Sequence, residues 1–361
     1  MPRKAKRRCL LVCCLAIAVF AFYFLHDIYY CDFEEQSKLV KMPSGKLIPY
    51  FSGSEHLKTY GELVSVSKRK KAITRTVEGN SGQSYGKNNE GFCDYNDKEG
   101  IVQCPDVRFK GESFNRQGLL VIARMHAVFD DICKRHNITY FVFAGQLLGS
   151  QRNGRMIPWD YDSDVGLLIE DFLVLLKHIR KELPPDIYFE DGVDDPSFTK
   201  FCEARLRDRN TCYGHCLRTG CKRHDGLQID IFAFRRVEKA PLIGHNIKNA
   251  NRGKVSSGSV KIKNIYYNKE LNYDDVYPTG TIRLEGLTLP APRDILAVNN
   301  QMYGPGHLKL PEKSRYQCPN NGYTGIPWYS CQEIANMSVK ERHELLSMSM
   351  AHRNYFFWLF G

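Results

Sequence analysis

The sequence predicts an α/β domain in which helices and strands alternate, and three stretches carry that prediction. Over residues 115–136 Leu119, Ile122, Ala123, His126, Ala127 and Ile132 recur at helical spacing, which predicts a long amphipathic helix that Ser113 or Asn115 can cap. Residues 138–144 are β-branched and aromatic, the composition of a buried strand. Residues 227–234 form a second such strand, apolar on the Leu227, Ile229 and Ile231 face, with Asp230 on the other.

The remaining elements follow in order. After the first strand come Gly145 and Gly149, a short helix, and a polar loop leading to a strand that begins near residue 159. Residues 171–183 read as a helix ended by Pro184 and Pro185. Arg205, Arg207 and Arg209 alternate within residues 200–209, as on the exposed face of a strand. The basic, Gly/Asn/Ser-rich stretch 235–275 reads as an insertion with no predicted place in the fold. Residues 284–289 suggest a hairpin strand, 292–303 a capped helix and 338–360 a C-terminal helix.

A chain of 361 residues suits one large domain with additional segments. Its net charge of +11 is partly local, because Arg3, Lys4, Lys6, Arg7 and Arg8 open the chain and residues 68–71 are all basic. No interleaved aromatic and basic motif accompanies that charge, so a nucleic-acid partner is not expected, whereas an anionic, phosphate-bearing substrate fits. Residues 9–25 are uninterruptedly apolar and follow the basic tail, the pattern of a signal anchor with residues 1–8 cytosolic and the rest luminal. A cleaved signal peptide is the rival, although Phe20, Phe22, Tyr23 and Phe24 make a poor cleavage region. The short span points to a single-pass type II protein of the Golgi or ER membrane. Residues 26–90, rich in charge, Gly, Ser and Asn, read as a stem, and 91–361 as the folded domain.

Cysteine usage agrees with a lumen. Three of the thirteen cysteines lie in the apolar run, and ten follow it. Cys93 with Cys104 and Cys318 with Cys331 are expected local pairs, while Cys202, Cys212, Cys216 and Cys221 crowd together as disulfides or as a zinc site. Asn137 and Asn336 open glycosylation sequons.

Chemistry concentrates in Pro158-Trp159-Asp160-Tyr161-Asp162-Ser163-Asp164-Val165-Gly166. In an extended chain Asp160, Asp162 and Asp164 share one face, and packed carboxylates repel unless a cation or donors neutralise them. A hard divalent ion with oxygen ligands answers that need; a solvated acidic turn is the plainer alternative. The apolar run from Val165 to Ile169 argues for a strand entering a core. Asp230, alone in its apolar strand, is the natural third carboxylate, or else a half-buried acid bonded to backbone. The glycine turn can bring backbone N–H groups to a phosphate, or serve packing alone.

The run Tyr140-Phe141-Val142-Phe143-Ala144-Gly145-Gln146-Leu147-Leu148-Gly149-Ser150-Gln151-Arg152, continued by Ile157 to Asp164, resembles the signature of the LicD/fukutin family. Arg207 with Thr211, Ile229 to Phe232, Pro290, Pro292, Leu296 and Tyr303-Gly304 agree in order, so the resemblance covers residues 115–304. It implies a nucleotidyltransferase-type fold, a mixed β-sheet flanked by helices. It also implies transfer of a phospho-alcohol, such as phosphocholine or ribitol phosphate, from a CDP-linked donor to a glycan acceptor. By position, Asp162, Asp164 and Asp230 would hold Mg²⁺ or Mn²⁺, and Asp160 would be a ligand or general base. Gly145, Gln146 and Gly149 would form the donor turn, with Arg152 and Arg207 facing the donor's phosphates. A D-x-D glycosyltransferase using a nucleotide sugar and a non-catalytic glycan-binding scaffold are the alternatives; self-association is left open.

Overall fold

In a computed structural model of the chain, the described residues are 40–41, 47–48, 58–64, 93–193, 195, 198, 202–219, 226–237, 260–266, 270–310 and 325–351. The basic tail, the apolar run 9–25 and most of the predicted stem lie outside them. Among the described residues no helix is long and apolar enough to cross a membrane.

Helix α1 (Phe114–Arg135) is capped by Ser113, whose hydroxyl accepts from the Arg116 N–H. It is buried on nearly every side, more than an amphipathic stripe requires. Its Arg116 side chain lies inside the protein, where Nη2 donates to Glu285 Oε2 (2.6 Å) and to the Lys58 carbonyl. Strand β1 (Tyr140–Phe143) follows and passes at once into α2 (Ala144–Asn153), which Gly154 ends in the left-handed region. Then come β2 (Asp162–Leu168), α3 (Ile169–Glu182), β3 (Ile187–Asp191), β4 (Ala204–Asp208) and the long β5 (Gln228–Val237).

These strands form a mixed sheet. β1 runs antiparallel to β2, β2 parallel to β5, and β4 antiparallel to both β5 and β3. The far end of β5 pairs with β6 (Lys261–Lys263), which pairs with β7 (Glu270–Asn272). Part of the stretch read as an unplaced insertion therefore extends the sheet. α1 and α3 pack together over one face of the sheet. The other face carries the rings of Phe141, Phe143, Phe232 and Phe234, with Tyr277 set edge-on to Phe141. Gly166 makes that layer fit, since a Cβ there would lie 2.4 Å from the Phe141 ring.

Beyond the sheet, the predicted hairpin is present as Gly280–Leu284 paired with Leu287–Ala291, and the helix after it, Ile295–Tyr303, is capped by Asp294. Residues 58–64, read from the sequence as stem, belong to the domain: Tyr60, Leu63 and Val64 are buried in the main core. There Gly61 donates its N–H to the Glu285 carbonyl (2.7 Å) and approaches Gly286 too closely for any side chain. A smaller core joins the helices Cys331–Ala335 and Val339–Ala351 to residues 212–217.

Cys93 and Cys104 are bonded as expected. Cys331, however, pairs with Cys212 and not with Cys318, which lies outside the described residues. The cause is a two-strand ribbon in which Ile326 sits opposite Cys212, bringing the later segment onto the earlier one. Cys202 stands apart from that pair, whereas the Cys216 sulfur is 3.3 Å from that of Cys212. Arg205 and Arg207 are both buried, so β4 does not present them to solvent; only Arg209, past the strand end, is exposed.

His126 joins α1 to β2 through Ser163, Nε2 to Oγ 2.5 Å, with neither residue exposed. Burial holds its pKa down at about 3, so it folds neutral. In the unfolded chain it protonates near its ordinary value of about 6.5. The unfolded state thus binds the extra proton between these values, and stability falls as pH drops through that window, by up to about 1.4 kcal/mol per pH unit. Urea unfolding of wild type and His126→Gln at pH 5 and pH 7 checks this: the variant should lose part of the pH dependence, and equal dependence in both would refute it.

Candidate active site

The register of the sheet assembles the acidic residues. Asp164 on β2 is the cross-strand partner of Asp230 on β5. Phe143 lies opposite Asp164, Arg205 opposite Asp230, and Glu190 opposite Arg205, so one row crosses five strands. Directly opposed residues project to the same face of a sheet, as do residues two apart along a strand. Asp162 therefore joins the same face in the next row, beside Gln228 and Arg207. Ser163, Ile229 and Ile231 point the other way, and Ser163 meets His126 of α1.

Asp230 is buried and firmly held. Its Oδ1 accepts from Arg205 Nε (2.7 Å) and Gln228 Nε2 (2.9 Å), with the Cys202 thiol at 3.6 Å, leaving Oδ2 for a ligand. Asp164 accepts the backbone N–H of Gly145, which favours the carboxylate. Desolvation outweighs that bond, and the charges of Asp162, Asp230 and Asp160 add to it, so the Asp164 pKa stands well above the ordinary carboxylate range. An all-oxygen donor set with surplus negative charge fits a hard dication such as Mg²⁺ or Mn²⁺.

Asp160 does not share the strand. β2 begins at Asp162, and Asp160 lies in a turn where its N–H bonds the Ile157 carbonyl and its Oδ1 accepts from Tyr161 N–H. It reaches the cluster from the side: a Cβ added to Gly145 would lie 2.7 Å from Asp160 Oδ2. Glycine at position 145 thus lets the turn close against the first residues of α2. Just before it, Ala144 holds a left-handed φ of 49°, a conformation unfavourable for a residue with a Cβ. That bend accompanies the Gly145 N–H contact with Asp164.

The other expected site residues have structural surroundings. Gln146 is buried, and its Nε2 donates to the Asp162 carbonyl (2.7 Å), which fixes the start of β2. Gly149 makes room for the 155–157 backbone. Arg152 lies in the last turn of α2, about 10 Å along the helix from Gly145, with its guanidinium 5.7 Å above the Trp159 ring. Arg207 is buried and engaged by Glu190 (2.6 Å) and the Gly226 carbonyl (3.0 Å). Arg205, not Arg207, contacts an acid of the cluster. Arg205, Gln228 and Cys202 are the contacts that sequence reasoning missed, because the alternation in β4 marks both arginines alike and only the strand register separates them.

Residues 137–294 match the family model described as LicD/FKTN/FKRP, nucleotidyltransferase domain. Over those residues, less than half of the chain, the protein is similar to LicD-type domains. Over 34 residues it is also 50% identical to the ribitol 5-phosphate transferase FKRP of Mus musculus and to that of Homo sapiens. That match spans 9% of this chain and 7% of each relative. The matched domain begins at the end of α1 and includes β1 to β7, and with them all four acids.

Within the matched stretch, Arg207 and Glu190 form a buried pair, so removing the cation strands a carboxylate in the core. Arg207→Met should lower stability by about 3–5 kcal/mol. Chemical denaturation would measure the difference, and a variant as stable as wild type would refute the structural role.

Proposed function

We propose that this protein is a metal-dependent phosphotransferase that moves a phospho-alcohol, of the ribitol phosphate or phosphocholine kind, from a CDP-linked donor to a glycan. The observation that carries the reading is the register of β2 and β5, which sets Asp164 beside Asp230 with Asp162 on the same face. The LicD match and the short likeness to ribitol 5-phosphate transferases support a transferase acting on glycans. The apolar run 9–25 and its basic flank support a site in the Golgi or ER lumen, with the chain anchored as a type II protein.

Asp162, Asp164 and Asp230 would hold the Mg²⁺ or Mn²⁺ ion. Held there, the ion would supply positive charge against the diphosphate and the departing CMP. Arg205 keeps Asp230 oriented through its Oδ1. Asp160, set off the strand in its turn, is the better candidate to accept the proton of the incoming glycan hydroxyl. Arg152 with Trp159 borders the same turn and is the nearest candidate among the expected cations to meet the donor's negative charge. In such transfers positioning and electrostatics supply most of the rate.

Asp162→Asn and Asp164→Asn should abolish CMP release from a panel of CDP-linked alcohols while thermal unfolding stays close to wild type. Wild-type turnover by either folded variant would sink the proposal. So would a product without phosphorus in the mass spectrum, which would point to glycosyl transfer.

A further inference from the structure

We propose that His136, His178 and Glu182 form a binding site for a transition-metal dication, separate from the aspartate cluster. The site lies beyond the start of β1, whereas Asp164 faces the other end of that strand at Phe143. His178 and Glu182 stand one helical turn apart near the end of α3, a spacing that puts both on one face. His136 is the C-cap residue of α1, so the two helix ends that flank one face of the sheet converge here.

The three candidate ligand atoms all lie within 4.8 Å of one another. His136 Nε2 is 2.6 Å from Glu182 Oε1, and His178 Nδ1 is 3.9 Å from the same oxygen. Those two distances straddle the ligand–ligand separation of roughly 3.3 Å that metal–ligand bonds of about 2.0 Å give in a tetrahedral site. The two imidazole rings stack at 3.6 Å, tilted by 16°, so binding one ion requires the stack to open and each ring to turn a nitrogen lone pair toward it. Two imidazoles and a carboxylate suit Zn²⁺, Ni²⁺ or Cu²⁺, whereas the all-oxygen cluster suits Mg²⁺ or Mn²⁺.

The surroundings orient the carboxylate. Arg135 Nε binds the other oxygen of Glu182 (3.4 Å), which orients the carboxylate and leaves Oε1 toward the histidines. The Arg135 guanidinium itself lies over the Tyr95 ring, while Lys134 pairs with Asp130 and Arg180 with Asp191. Asp131, within electrostatic reach of Glu182, holds a buried Oδ2 that no hydrogen bond satisfies. An ion bound here would clamp α1 to α3 at the end of the sheet remote from the transfer site. His136 and His178 are partly exposed, so it can enter from solvent.

The test is Zn²⁺ titration by calorimetry of the purified, metal-stripped full-length chain, with Mg²⁺ in excess to occupy the aspartates. Wild type should bind one Zn²⁺ and unfold at a higher temperature when it does. Altering groups around a metal ligand already costs about 10–100-fold in affinity, so His178→Ala, which removes a ligand, should weaken binding by at least that much and abolish the thermal shift. Asp162→Asn should leave both unchanged. Glu182→Gln gives the same reading should His178→Ala fold poorly. Equal Zn²⁺ affinity in wild type, His178→Ala and Glu182→Gln, or no uptake by folded wild type, would overturn the proposal.

Discussion

A parallel pair of strands cannot be joined by a tight turn, so β2 and β5 meet only because α3, β3 and β4 carry the chain round between them. Everything in the acidic site hangs on the register of that meeting. A slip of one residue would turn Asp230 toward α1 and set Ile229 among the carboxylates. Apolar packing on both faces resists the slip. Ile229 and Ile231 are buried on the α1 side, and Phe232 and Phe234 are locked among the aromatic rings on the other. The domain therefore positions its acids by the hydrophobic fit of the strands that bear them, and the polar contacts only refine the result.

That refinement manages charge. Three acids on one face and a fourth in the adjoining turn would repel, and the fold answers with fixed donors: the Gly145 N–H on Asp164, and Arg205 with Gln228 on Asp230. The donors are unequal to the charge, as the raised Asp164 pKa records. The remaining imbalance is a surplus of negative charge on one face of the sheet. The unfavourable backbone of Ala144 belongs to the same arrangement, since it forms the bend just before the Gly145 contact.

Much of this was legible in the chain. Helical spacing marked α1, a β-branched and aromatic run marked β1, and the solitary Asp230 in an apolar strand marked a carboxylate set on the opposite face from Ile229 and Ile231. Local patterns could not reveal which arginine meets it. Arg205 and Arg207 have the same parity, and the choice is made by β4 pairing with β5, a contact between distant parts of the chain. Polar composition hid the strands β6 and β7, which gain order from β5 more than from their own residues. Sequence proximity misdirected the partner of Cys331, because the ribbon that delivers Cys212 consists of only two residues on each side. The turn that lifts Asp160 off β2 was equally invisible, since an alternating run of aspartates looks alike whether or not its first member is in the strand.

The docking of residues 58–64 bears on how the chain acquires its shape. Tyr60, Leu63 and Val64 belong to the main core, and Gly61 among them meets the turn at Glu285 and Gly286, more than two hundred residues later in the chain. A growing chain must keep those apolar side chains waiting until the hairpin has been made. Contacts of such long sequence separation form slowly. The segment nearest the start of the domain is therefore among the last to settle.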